Sequence, residues 1–96
     1  MNIYLTAVIK AKSEYRDEVL ETLKNMVSKT LEEKACQKYD LHEDMEDPNR
    51  FVFYEIWQDQ QGLDIHNQQP YILDFVAIVP EKLQEGPLII KMKKLG

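Results

Sequence analysis

Glycine is scarce in this chain, with three residues in 96, and neither a glycine-rich phosphate loop nor a Walker pattern occurs. The usual nucleotide-binding fingerprints are therefore missing. Cysteine is rarer still. Cys36 stands alone, which excludes an internal disulfide and any cysteine-based zinc site and fits a reducing compartment. Histidine occurs only at His42 and His66. No apolar run approaches the ~20 residues that span a bilayer, and the opening MNIYLTAVIKAK lacks the charged start and cleavage signature of a secretory signal. Twelve basic residues stand against seventeen acidic ones, and the net charge of −5 argues against a nucleic-acid surface. Internal repeats, linkers and low-complexity segments are absent as well. The expectation is one soluble, cytoplasmic domain over residues 1–96, with no metal, no cofactor, no nucleic acid and no membrane contact. A chain this short buries only roughly 60–65% of its unfolded surface, so oligomerisation would help it.

What the chain does have is a dense apolar stretch, FVFYEIW at residues 51–57. Aromatic and β-branched residues at nearly every position predict a strand. Alternation puts Phe51, Phe53, Glu55 and Trp57 on one face and Val52, Tyr54 and Ile56 on the other. Both faces are mostly apolar, so each needs cover. Asp59 is a candidate N-cap for a short helix over 60–68 that carries Leu63 and His66. The strand end and the helix can bring the Trp57 indole and the His66 imidazole to the rim of one cavity. The alternatives are a plain core tryptophan and a surface histidine.

The flanking segments complete a pattern. Ile3 to Lys12 alternates as a first strand, with Ile3, Leu5, Ala7 and Ile9 on one face. Ser13 is a candidate N-cap for an amphipathic helix of about five turns, on which Val19, Leu20, Leu23, Met26, Val27 and Leu31 recur at threes and fours. Cys36 to Glu43 is a second strand, and Asp44 to Arg50, with Pro48, supplies the turn of a hairpin. Pro70 suits the first turn of another helix, 71–83, and Leu88 to Leu95 forms a last strand whose lysines suit an edge. The order βαββαβ is that of the ferredoxin-like fold: α+β, an antiparallel sheet with helices on one face. The other sheet face stays open and apolar. Covering even ~800 Å² of it would be worth on the order of 20 kcal/mol before association costs. A homodimer packed sheet to sheet is expected.

The residues Y-x-L-H-x-D-x-x-D-P-x-R-F-V-F-Y-E-x-W, from Tyr39 to Trp57, resemble the antibiotic biosynthesis monooxygenase domain. So do the run Leu63-x-x-His66-x-x-x-Pro70-Tyr71-x-x-x-Phe75 and the opening Val8 to Lys12. One departure is Lys34-Ala35, where the family usually has Pro-Gly before strand two. The resemblance implies a dimeric α/β-barrel and a cofactor-independent oxygenation of a small quinol or phenolic substrate by O₂. An electron-rich phenolate can itself deliver an electron to O₂, so the protein need only bind, deprotonate and exclude water. Haem-degrading enzymes of a similar fold use a first-strand Asn with a Trp and a His. Trp57 and His66 match the last two, while Ala7 or its neighbours stand where the Asn would be.

The roles implied are His66 as the base for a phenol proton, since its ordinary pKa lies near neutrality, and Glu55 as a second acceptor or half of a buried hydrogen-bonded pair. Phe53 and Trp57 would line the substrate, and Tyr71 would close the pocket. His42 has no expected catalytic role. The alternatives in function are a dimeric small-ligand-binding or regulatory module and an autoinducer-degrading type of enzyme.

Overall fold

The two-residue period of the central strand governs the architecture. In a computed structural model that describes residues 1–96, β3 (Arg50–Trp57) buries every second side chain, Phe51, Phe53, Glu55 and Trp57. Strand β1 (Ile3–Lys10) buries Leu5, Ala7 and Ile9 on the same face, because its antiparallel register sets Leu5 opposite Glu55 and Ala7 opposite Phe53. The remaining strands are β2 (Cys36–Glu43) and β4 (Leu88–Met92), and the sheet order is β2-β3-β1-β4 with all pairs antiparallel. Helices α1 (Arg16–Thr30), α2 (Gln60–His66) and α3 (Pro70–Lys82) supply the other half of the core. This is the expected ferredoxin-like order, with its second helix split at Pro70.

Each helix is explained by its own periodicity and caps. Val19, Leu23, Met26 and Thr30 fall at fours and threes and are the buried stripe of α1. Asp59 caps α2 as expected, its Oδ1 accepting from Gly62 N at 2.8 Å. Pro70 occupies the first turn of α3, where its missing N–H costs nothing. Ser13 does not cap α1. It opens a short 3₁₀ turn, Ser13–Tyr15, closed by Tyr15 N to Lys12 O, and α1 begins only at Arg16 without a side-chain cap. Asp17 and Glu18 in its first turn complement the helix dipole instead.

Strand ends are set by partners. β1 stops at Lys10 rather than Lys12 because β3 begins at Arg50, opposite Lys10. β4 stops at Met92 rather than Leu95 because Met92 already pairs with Tyr4, one residue from the start of β1. A bulge at Gln37 separates the Cys36–Trp57 pair from the Lys38–Ile56 pair, and it brings Tyr39 opposite Glu55 on the helix-facing side. The opposite face carries Tyr4, Thr6, Val8, Val52, Tyr54 and Ile56, all half-buried, beside the exposed Leu88 and Ile90.

Helix α2 sits very close to the segment before β2. A Cβ added at Gly62 would collide with the Ala35 Cβ. In a helix, alanine is favoured over glycine by about 1 kcal/mol, but overpacking of this kind costs about 1–3 kcal/mol. We therefore expect Gly62→Ala to lower the free energy of unfolding, and Ala35→Gly in the same chain to recover part of the loss. Chemical denaturation of the three variants checks this, and a Gly62→Ala chain more stable than wild type would contradict the contact.

Candidate active site

The helix-facing side of the sheet does not close completely. Between it and α2 and α3 lies a cavity of about 380 Å³, walled by apolar side chains such as Leu5, Phe53, Leu63, Ile72 and Phe75. Ala7, the smallest residue on the central rows, sits on its floor between Phe53 and Ile89. Three buried polar side chains, Tyr39, Glu55 and His66, face into this space, and the exposed Gln60, Asn67 and Lys91 rim it.

Glu55 reaches the cavity because strand parity forces it inward along with Phe53. Only 4% of it is accessible. The indole of Trp57, two residues on and on the same face, donates from Nε1 to Glu55 Oε1 at 2.8 Å. That leaves the other carboxyl oxygen for a ligand. Burial pushes the Glu55 carboxyl up to about 7, and the Trp57 hydrogen bond only partly opposes this.

His66 closes α2 and is equally buried. Its Nδ1 lies 2.7 Å from Glu33 Oε2, and the Tyr71 hydroxyl donates to the same oxygen at 2.5 Å. A carboxylate acceptor assigns the proton to Nδ1, so Nε2 carries the free lone pair. Burial lowers the His66 pKa despite the neighbouring Glu33, which works in the opposite direction. The imidazole is held neutral and oriented, the arrangement found wherever a carboxylate fixes a histidine tautomer. Its ring stacks obliquely on Trp57, centroids 4.4 Å apart, and meets the edge of Tyr39 at 5.5 Å. Burial also raises both phenols, Tyr39 and Tyr71, so neither is a ready proton acceptor. The Cys36 thiol is pushed up to about 11, again mainly by burial, and is no nucleophile.

Phe53, Glu55 and His66 thus meet at one wall. Trp57 does not line the cavity. It is wholly buried behind His66 and Glu55, so its indole is a support for those two rather than a surface for a ligand. Tyr71 is likewise off the wall, its hydroxyl being committed to Glu33. Two residues gained a place that the sequence did not suggest. Glu33 comes from the link between α1 and β2, far from His66 in the chain, and nothing in the local pattern marks it. Tyr39 could have been found from the β2–β3 register, had the bulge been visible. His42 is exposed, its ring bonded to the Val52 carbonyl. No group of three or more His, Cys, Asp or Glu side chains is placed to hold a metal ion, and no helix is long and apolar enough to cross a membrane.

A two-layer α+β domain with a partly enclosed cavity and a buried acid–imidazole pair is the class defined so far. The antibiotic biosynthesis monooxygenase family model matches residues 2–78, and the chain belongs to that family. The Bacillus subtilis protein "Putative monooxygenase YcnE" is 36% identical over 94 residues, covering 98% of both chains. The uncharacterized protein sll1783 of Synechocystis is 31% identical over 98% of this chain, which spans only 63% of that relative. A crystal structure of an antibiotic biosynthesis monooxygenase, 31% identical, superposes with a TM-score of 0.91 over 98% of this chain and 99% of the other. PA3566 from Pseudomonas aeruginosa, 27% identical, does so at 0.93 over 99% and 95%.

The buried carboxyl has a consequence for stability. A carboxyl whose folded pKa exceeds its unfolded value binds more protons when folded, so its contribution is favourable at low pH and is lost as pH rises from 4.5 to about 7. The shift corresponds to a penalty on the order of 3 kcal/mol above that window. His66, with a lowered pKa, acts oppositely and loses stability as pH falls below 6.5. Comparing wild type with Glu55→Gln cancels the histidine. The variant should gain on wild type by about 3 kcal/mol between pH 5 and pH 8 in denaturant titrations. Parallel curves would refute a buried, proton-holding Glu55.

Proposed function

We propose that this protein is a cofactor-independent monooxygenase that oxidises a small phenol or hydroquinone with O₂ inside the cavity. The observation that carries the proposal is the buried His66 imidazole on the cavity wall, fixed through Nδ1 by Glu33, which leaves Nε2 as its free proton acceptor. Family membership and the resemblance to a protein named as a monooxygenase support the same reaction class.

The chemistry runs on proton control. His66 Nε2 takes the phenol proton, and the phenolate passes one electron to O₂ to give a phenoxyl radical and superoxide. Their recombination forms a carbon–oxygen bond and a peroxide. The O–O bond then breaks, one oxygen staying on the ring as a quinone carbonyl and the other leaving as water. Substrate and O₂ balance quinone and water with no outside reductant. Glu55, protonated up to about pH 7, supplies a proton to the departing oxygen. A base with a lowered pKa beside an acid with a raised one is the division of labour that such a sequence needs. Glu33 and Tyr71 act through His66 as positioning residues, and Phe53 lines the ring. The setting is the cytoplasm, where the lone Cys36 stays a thiol.

The same reading takes the chain as a homodimer. Its support is the uncovered sheet face, with Val8, Val52, Tyr54 and Ile56 side by side and Leu88 and Ile90 exposed beside them. Sedimentation should give about twice the 11.4 kDa chain mass. Tyr54→Lys, a charge in the middle of that face, should shift it to the monomer, and a wild-type monomer at micromolar concentration would rule out the assembly.

An oxygen electrode with a panel of hydroquinones tests the reaction: O₂ uptake should match product formed, whereas binding without uptake leaves only a ligand-binding module. His66→Ala should lower kcat by roughly 10²–10⁴. The kcat/KM profile should be bell-shaped, its acidic limb below pH 6.5 from His66 and its basic limb near 7 from Glu55. Trp57→Phe removes a hydrogen bond that favours the Glu55 carboxylate, so it should move the basic limb upward while leaving the acidic limb in place. An acidic limb near 7 that disappears in Glu55→Gln would make Glu55 the base instead.

A further inference from the structure

Lys91 is the only cationic side chain on the cavity wall, and its ammonium makes no ion pair. It donates at 2.7 Å to the neutral Gln60 Oε1 at the start of α2. Strand register fixes where it stands. On the helix-facing side one row crosses the sheet, Tyr39 on β2, Glu55 on β3, Leu5 on β1 and Lys91 on β4. The polar groups of the cavity thus lie at one level, with Glu55, Tyr39 and the adjoining His66 at one end and Lys91 with Gln60 at the other. Two strand spacings separate the Glu55 and Lys91 backbones, roughly 10 Å. A compound of one ring or two fused rings, with polar groups at its two ends, is of that order of length. The neighbouring row, Phe53, Ala7 and Ile89, is apolar.

Charge distribution adds a second observation. The chain carries −5 overall, yet Lys91, Lys93 and Lys94 fall within its last six residues, and the first of these stands at the cavity. At the opposite end the Glu33 carboxylate, bonded to His66 Nδ1, disfavours an anion. From this geometry we infer that the substrate is an aromatic hydroxy acid. Its phenolic hydroxyl lies at His66 and Glu55, and its carboxylate, at the far end of the ring system, pairs with Lys91. The inference rests on the cavity being the reaction chamber proposed above, and it names the class of compound that chamber takes. Lys91 then sets both specificity and orientation, because the reverse pose would leave its ammonium without the carboxylate and turn that carboxylate toward the end where Glu33 stands behind His66.

Calorimetric binding tests it without turnover. The probes are a hydroxynaphthoate with hydroxyl and carboxylate at opposite ends and its primary amide, which differs only in charge. Wild type should bind the acid roughly tenfold tighter than the amide at low salt, the lower range of a charge-assisted hydrogen bond. Added salt should narrow that ratio. Lys91→Gln should bring the ratio to about one, and Lys91→Arg should keep it. Equal binding of acid and amide by wild type, a preference that survives in Lys91→Gln, or no measurable binding of the acid overturns the inference. A Lys91-dependent preference without any O₂ uptake would sustain it while refuting the oxygenase reading. Uptake with neutral quinols and no preference for the acid would do the reverse.

Discussion

A single carboxylate oxygen, Glu33 Oε2, ties together the parts of the chain that make the site. It accepts from His66 at the end of α2 and from Tyr71 in the first turn of α3, while its own backbone leads from α1 into β2. The split at Pro70 lies between those two donors, so the carboxylate spans the break in the helical layer. Hydrogen bonds to a charged acceptor are among the stronger local restraints, and removing the acceptor would leave two part-buried donors without their partner. Gly62 serves the same end from the other side, since only a residue without a Cβ lets α2 approach Ala35 closely enough for His66 to reach Glu33.

Burial inverts the order in which two groups titrate. Glu55 and His66 share one cavity wall, and desolvation raises the first and lowers the second, so both favour the neutral form. An apolar cavity that kept both ionised would hold two costly charges. One that keeps both neutral holds a proton donor and a proton acceptor ready at the same pH. The partners differ in kind: Glu55 receives a neutral indole N–H, which only partly offsets the lost solvation of its charged form, whereas His66 faces a carboxylate that keeps its tautomer fixed.

Most of the fold was legible from periodicity. The alternation of residues 51–57, the threes and fours of α1 and the turn residues between Asp44 and Arg50 are local signals, and the elements they mark are present. Element ends were less legible, because a strand stops where its partner stops. Lys12 turns its N–H to the Lys82 carbonyl at the end of α3 instead of to a strand, and the residues after Met92 have strand-like sequence beyond the paired register. The site was read in part. Parity alone was enough to place Phe53 and Glu55 on one wall. Parity could not show that Trp57, on the same face, lies one row beyond the cavity under α2, nor that Tyr71 turns its hydroxyl away from it. Glu33 sits in a run of charges that looks solvated, and only the tertiary approach of α2 and α3 buries it.

The cavity itself follows from the mismatch of residue sizes across one row. Leu41, Phe53, Ala7 and Ile89 stand side by side on the helix-facing surface, and the small Ala7 occupies the middle of the sheet. Helices rest on the tall side chains around it, so the space above Ala7 stays unfilled. A well-packed core of this size would ordinarily close such a gap, since unfilled volume forfeits dispersion contacts and lowers stability. Keeping it open therefore costs the domain part of its small margin. A second constraint compounds the first, because the opposite sheet face spends its apolar side chains outside the core. The domain thus leaves apolar surface unpacked on both faces of one sheet, above Ala7 on the helix side and around Tyr54 on the other.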